Sequence, residues 1–315
     1  MGLLKPRVLL VADEPGWGFD ANLRDLAAYL GDEFAFGFWY CARQGPPLSL
    51  AGYDGAYVTY RWQLGEDFPY RRSVGSLRST VWDGARSTPT AAELAAVARW
   101  GGFHTVTRGS YEQLCAALRA QSAETNRIAY LTNPVDTRRF RETTPVRDRI
   151  VASWSGNALH SSPSGVRVKG FAEIIVPACR RAGVPLVAAE YHTSRLPLAE
   201  MPAFYQHGNV TLCASLYEGA ANAVLEAMAC GHAVVATDVG NHREIVESER
   251  EHFGDVGVLL VGRSVEAFAA ALSALTPDRV AAMGAINRRE IAERWSWEVW
   301  RDRYAALLRA VLGGA

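Results

Sequence analysis

The sequence has no surplus of either charge. Lysine plus arginine and aspartate plus glutamate number 33 each in 315 residues, so the formal net charge is zero. Such a balance offers nucleic acid or an anionic membrane no general attraction, and neither is expected as a partner. Cysteine is scarce. The five residues Cys41, Cys115, Cys179, Cys213 and Cys230 contain no C-x-x-C pair, which excludes the ligand spacing of a structural zinc site and the framework of a disulfide scaffold. Most of the five stand in apolar runs, as buried free thiols do, and the expected compartment is a reducing cytoplasm. Long apolar runs are missing as well. The N-terminal apolar stretch is broken by Asp13 and Glu14 and is too short for a signal-peptide core or a membrane span. No Asp-x-Asp pair occupies a loop suited to a metal, so neither a metal nor a resident cofactor is expected.

What remains is ordinary globular composition, 49% hydrophobic and 21% charged, which excludes disorder, collagen and coiled coil. The length suits two domains of roughly 150 residues each. Arg7–Ala12 (RVLLVA) reads as a strand buried on both faces. After the glycine-containing turn EPGWG, the residues Leu23, Leu26, Ala27 and Leu30 recur with helical period. Residues 34–40 read as a second strand, so the chain opens β-α-β. Residues 60–88 lack a clear period and read as loops with one short strand. Residues 132–148 are polar and carry two prolines, the best linker. Beyond them strands are expected at 150–154, 185–189, 210–214, 233–237 and 257–261, separated by helices at 170–181, 199–206, 219–230 and 241–247. Helices at 265–275 and 277–294 follow, and an amphipathic helix from Trp297 follows Ser296. The expected class is therefore α/β, with two Rossmann-like doubly wound domains, an interdomain cleft and a final amphipathic helix. The expected division is 1–140, 141–295 and 296–315. Ligands of such sheets bind at the carboxyl ends of the strands.

One segment carries chemistry. A strand ending at Ala214 runs through Ser215 to Glu218, and a helix is expected from about Gly219. Glu226 lies eight residues beyond Glu218, which on a helix separates the two by roughly 80° around the axis. The amides of Gly219, Ala220 and Ala221 would then point out of the helix tip, where the dipole favours a phosphate. Carboxylates accept hydrogen bonds from sugar hydroxyls. Phosphate-binding amides between two such carboxylates suit a nucleotide-sugar. The plainer reading makes Glu218 a helix cap and Glu226 a solvated surface residue.

At this point the sequence resembles the family-4 group of retaining glycosyltransferases, of the GT-B superfamily. Glu218 and Glu226, within EGAANAVLEAMACGHAVVAT, match that group's E-x7-E pattern, and DVGNHREIV follows as its D/V-G-x-x-E-I stretch does. LTNPVDTRRF (131–140) resembles its interdomain N-G-V-D-x-x-x-F, with Pro134 in place of the glycine. KGFAEII (169–175) matches its Lys-Gly helix start, and RWSWEVWRDRY (294–304) matches the opening of its last helix, which in that group crosses back to the N-terminal domain, so that a C-terminal crossover helix is implied here. The resemblance spans most of 127–312 and is weaker over 1–126, where acceptors bind in that group. It implies that Glu218 contacts the donor sugar near the reacting carbon, that Glu226 holds the nucleotide ribose, and that Lys169 neutralises the donor diphosphate. Ser155, Gly156, Asn157, Arg167, Ser215, Gly219, Ala220, Ala221 and Asn222 complete the donor pocket. The loop Gly16-Trp17-Gly18 approaches the diphosphate or the acceptor.

Three departures stand out. Asn157 replaces the arginine usual after the first strand of the second domain, with Arg167 as the available substitute. Ala188-Ala189-Glu190 replaces a Gly-x-Gly. No first-domain histidine matches the one common near the reacting sugar; His104, beside a strand, reads better as a structural residue. The expected activity is metal-independent transfer of a sugar from a UDP- or GDP-sugar to the hydroxyl of a small soluble or natural-product acceptor. A nucleotide-sugar epimerase, a hydrolase or a non-catalytic nucleotide-sugar-binding protein on the same scaffold are the alternatives. A nicotinamide dehydrogenase is the most distant one. Residues 16–21 fit G-x-G-x-x-A, but no carboxylate ends the second strand.

Overall fold

The computed structural model describes residues 4–16, 18–47, 49–59, 64–82, 86–142 and 148–313. The chain divides into two compact units. The first comprises residues 1–82, 86–134 and 297–315; the second comprises 83–85 and 135–296.

The first unit is a six-stranded parallel sheet flanked by helices. Its elements are β1 (Arg7–Ala12), α1 (Gly18–Leu30), β2 (Ala35–Tyr40), α2 (Cys41–Gln44), β3 (Gly55–Val58), β4 (Ser73–Leu77), α3 (Ala91–Ala98), β5 (Gly102–Thr105), α4 (Arg108–Ala120) and β6 (Ile128–Tyr130). The strand order is β2-β1-β3-β4-β5-β6. Side chains of β1 alternate between two cores, as strand geometry requires. Val8, Leu10 and Ala12 meet Leu23, Leu26 and Leu30 of α1, while Leu9 and Val11 meet the layer built by Leu94, Val97, Leu114 and Leu118. The last helix of the chain belongs to this unit and fills the first of those cores through Trp297, Trp300, Tyr304, Leu308 and Val311, a spacing of three to four residues that lines one helical face. β3 is absent from the sequence expectation. Four residues give alternation too little length to register.

The second unit is a five-stranded parallel sheet of order β11-β10-β9-β7-β8. Its strands are β7 (Ala152–Gly156), β8 (Leu186–Glu190), β9 (Val210–Cys213), β10 (Ala233–Ala236) and β11 (Val258–Leu260). The helices are α5 (Val176–Ala182, entered through a π-turn at Phe171–Ile175), α6 (Met201–Tyr205), α7 (Asn222–Ala229), α8 (His242–Phe253), α9 (Val265–Ala274) and α10 (Pro277–Glu290). The last helix of the chain is α11 (Trp297–Gly313). The chain runs outward in opposite directions from β7 and β9, which are neighbours. The switch point therefore lies between them, and a doubly wound sheet opens a crevice at the carboxyl ends of those two strands.

Two expectations about helices need correction. α7 begins at Asn222 rather than Gly219. Ala221 is its N-cap, with φ −73° and ψ 96°. The carbonyl of Gly219 accepts the Asn241 amide at 3.1 Å, which draws that backbone away from helical pairing. α8 runs on to Phe253, further than expected.

Candidate functional site

The loops after β7 and β9 flank the switch point of the second unit. They are joined by a backbone hydrogen bond from the Leu216 amide to the Val168 carbonyl, 2.8 Å. This bond sets Lys169 against the Ser215–Glu218 turn. The Lys169 ammonium pairs with Glu218 Oε1, and Ser215 Oγ donates to the same oxygen at 2.7 Å. The side chains of Lys169 and Glu218 are 24% and 14% exposed, so a ligand can reach both. Burial works against the Glu218 charge, but the Lys169 ammonium and the hydrogen bonds from Lys169 and Ser215 outweigh it and hold the carboxyl below its ordinary range. Burial likewise opposes the Lys169 charge, and Glu218 overcomes it and raises the ammonium's pKa. The pair is charged at neutral pH: a cation with donors to share and a carboxylate that only accepts.

Several residues not singled out by sequence hold this pair in place. Thr237 Oγ1 donates to the Ser215 carbonyl at 2.7 Å. Arg263 donates to the carbonyls of Ala214 and Arg167, at 2.9 and 2.7 Å, and so fastens both loops from below. Gly240 has φ +62°, and a Cβ there would lie 2.1 Å from the Gly219 carbonyl oxygen and 2.9 Å from Glu218 Cβ. Only glycine accepts both that backbone and that approach. The D-V-G of the motif is the one signal that marks it. His242 Nδ1 donates to the Thr237 carbonyl at 2.8 Å, and burial keeps its imidazole pKa low.

Glu226 lies within α7 and is half-buried. Glu218 stands four residues before that helix, so the angular separation expected for two positions on one helix does not apply to the pair. One partner of Glu226 is the phenol of Tyr205, from α6, 3.2 Å from Oε2 and 3.1 Å from the Ala223 carbonyl. Ser155 Oγ lies 3.5 Å from the same phenol. The structure thus gathers the predicted residues into two groups, Lys169–Ser215–Glu218 and Ser155–Glu226, the second joined through a tyrosine that sequence reasoning missed. Ala220 and Ala221 are buried in the turn between, and Asn222 is the first residue of α7.

Two predicted residues are committed elsewhere. The Arg167 guanidinium donates through Nη1 to the Leu159 carbonyl and to Ser161 Oγ, across a small hairpin bridge. Asn157 Oδ1 accepts the Leu159 amide at 2.9 Å and stands 3.2 Å from His192 Nε2. Gly156 closes β7 with φ +154° and accepts the Tyr191 amide. Glu190, where a Gly-x-Gly was the comparison, accepts the amides of Ala158, His192 and Thr193 and the Thr193 hydroxyl. It organises the loop and contributes no open anion cradle. In the first unit the Gly16 amide donates to Asp20 Oδ2 at 2.7 Å, and Gly18 starts α1; Trp17 lies outside the described residues. His104 is fully buried, with Nε2 2.6 Å from the Tyr57 hydroxyl. Arg78 donates to that same hydroxyl, so the phenol proton points to His104 Nε2. Burial, then Arg78, push the imidazole down to about 3, and His104 is a neutral structural residue.

Against known proteins, residues 188–278 match the family "Glycosyl transferases group 1". The alpha-maltose-1-phosphate synthase of Mycolicibacterium smegmatis is 34% identical over 124 residues, which is 37% of this chain and 31% of that protein. The chain thus matches about a third of that relative's length. Among solved structures, the sucrose-phosphate synthase of Thermosynechococcus elongatus aligns with a TM-score of 0.69 at 13% identity, covering 99% of this chain and 100% of that one. The Anabaena protein HepE, solved with UDP and glucose, aligns with a TM-score of 0.68 at 12% identity over 97% of this chain and 100% of that one. The fold is that of the GT-B glycosyltransferases, two Rossmann-like units with parallel sheets. The segment that matches the group 1 glycosyl transferases lies in the second of these units.

Proposed function

We propose that the chain transfers a sugar from a UDP- or GDP-sugar to the hydroxyl of a small acceptor, with retention at the anomeric carbon and without a metal ion. One observation carries this reading: the Lys169–Glu218 ion pair, partly exposed, at the switch point of the second sheet. The nucleotide and glucose of the HepE structure belong to the same kind of fold and support the donor class. In this reading the Lys169 ammonium, which gives one of its three N–H bonds to Glu218, turns the others to the donor diphosphate and stabilises the leaving charge. Glu218, held ionised, accepts from hydroxyls of the transferred sugar. Glu226, aligned by Tyr205, accepts from the ribose. The acceptor oxygen forms its bond to the anomeric carbon on the face from which the diphosphate oxygen departs. The acceptor's proton passes to that departing oxygen, so no separate base is needed. A reducing cytoplasm suits the five cysteines, all buried and free.

The test is thermal stabilisation by UDP, GDP and NAD, followed by donor turnover with and without acceptors and assignment of the product anomer by NMR. A ligand at 100 times its Kd raises stability by about 2.7 kcal/mol. Stabilisation by UDP or GDP and an α-linked product from an α-donor are expected. Stabilisation by NAD alone, or by none of the three, overturns the reading. Donor consumption that ignores every acceptor identifies a hydrolase instead.

A further inference from the structure

At the carboxyl edge of the first sheet one guanidinium stands without an opposite charge. Arg78 follows β4 directly and is half-buried. Its Nη1 donates to Asn133 Oδ1 at 2.7 Å and to Asn22 Oδ1 at 3.2 Å. Nη2 donates to the Tyr57 hydroxyl at 3.0 Å, and the guanidinium carbon lies 5.8 Å from the centre of the Phe19 ring. Every one of these partners is neutral. Among the described residues no carboxylate pairs with Arg78. Asp20, in the first turn of α1, is taken by Arg24, the Gly16 amide and the Tyr40 hydroxyl, and burial raises the pKa of Asp13.

The arrangement fixes the cation and leaves it unsatisfied. Three of the five guanidinium N–H groups are used, and Nε is buried with no acceptor among the described residues. Of the two remaining N–H groups, that of Nε is buried, and that of Nη2 is left to meet an incoming anion with the charge of the whole guanidinium behind it. Phe19 lies in the first turn of α1 and Asn22 opens the second, so the guanidinium also sits beside the positive end of a helix dipole. Desolvating a charge without a counter-charge is unfavourable, and an anionic ligand relieves it. The carboxyl edge of a doubly wound sheet is where such a ligand binds.

We propose that Arg78 anchors an anionic group, phosphate or carboxylate, of the acceptor, and that this protein therefore glycosylates an anionic small molecule. The proposal rests on the reading of the chain as a transferase whose first unit receives the acceptor. The full chain, Arg78→Gln and Arg78→Lys are titrated calorimetrically with glucose, glucose 1-phosphate, glucose 6-phosphate, glucuronate and inorganic phosphate, and separately with UDP. The wild type is expected to bind at least one anionic sugar about tenfold more tightly than glucose. Arg78→Gln loses that preference, and Arg78→Lys, which keeps the charge without the guanidinium's fixed orientation, retains part of it. UDP affinity stays within about twofold in all three. No anionic preference in the wild type, or an undiminished preference in Arg78→Gln, overturns the proposal. So does a loss of about tenfold in UDP affinity with hexose phosphates unaffected, which assigns the anion to the nucleotide. Failure of UDP to bind the wild type defeats the transferase reading alone, because the anionic preference is measured without it.

Discussion

Each unit places a cation at the carboxyl edge of its parallel sheet, and the two cations are held differently. Lys169 faces the carboxylate of Glu218. Arg78 faces two side-chain amides, a phenol and an aromatic ring. The first arrangement is electrically closed, and a ligand must share the ammonium with its partner. The second is open, and its rigidity comes from neutral acceptors on three separate elements. If the first site holds a nucleotide diphosphate as proposed, it must release it after each turnover and gains from a built-in competitor for its cation. A site that selects among small molecules gains from a fixed cation with no competitor.

The largest effect is expected where the closed pair is opened. Lys169→Ala removes the cation that the proposed mechanism sets against the leaving group, and with it a donor to Glu218 Oε1. Turnover should fall by roughly 10²–10³, the usual result of deleting one preorganised donor of this kind. Near-normal turnover at saturating donor removes Lys169 from the mechanism and with it the functional half of the comparison.

Next is Tyr57→Phe in the first unit. The phenol accepts from Arg78 and donates to His104; the phenol and His104 are buried and Arg78 is half-buried. Without it both neighbours lose a partner where water does not easily follow, a loss of about 2–3 kcal/mol in stability. Urea denaturation measures this. A change below about 0.5 kcal/mol, the size of an ordinary surface substitution, argues that the open network is not rigid.

Acid should act on the same network. His104 has a folded pKa of about 3, against about 6.5 for an unfolded histidine. Between those values the unfolded chain takes up a proton that the folded one refuses, so this stability is complete above about pH 6.5 and is lost as the pH falls. By pH 5 the loss from His104 alone is about 2 kcal/mol. His104→Gln does not titrate, and its stability should fall less between pH 7 and pH 5 by about that amount. Equal acid slopes for the two proteins place a proton on His104 in the folded state.

The closed site was readable from sequence because its residues are neighbours along the chain or carry motif spacing: Ser215 and Glu218 share a turn, and Lys169 opens K-G-F. The open site was not. Arg78 acquires its meaning from Asn22, Tyr57 and Asn133, each on a different element, and β4 itself is disguised by Gly75 and two serines, with the Trp100 ring lying against the glycine. β1 and α11 were legible because burial on both faces, or on one helical face, writes a regular pattern. The start of α7 was misread because the cause is 22 residues away, where the Asn241 amide takes the Gly219 carbonyl. Tyr205 lacked any signal, since a single aromatic in an apolar helix reads as core.

The smallest expected effect separates the two networks most directly, because the same substitution is made in both. Tyr205→Phe removes a phenol that is itself buried, at 1% exposure, but whose partner Glu226 is half-exposed. The phenol has one proton, and it lies between the Ala223 carbonyl and Glu226 Oε2, at 3.1 and 3.2 Å. When it is lost, water can solvate the Glu226 carboxylate, so the deletion costs only an ordinary hydrogen bond of about 1 kcal/mol. If Glu226 is oriented toward the ribose by this contact, UDP affinity should weaken by about fivefold, the equivalent of that energy, with turnover at saturating donor little changed. A stability loss as large as that of Tyr57→Phe, with UDP affinity untouched, makes Tyr205 a packing residue and leaves Glu226 oriented by α7 alone.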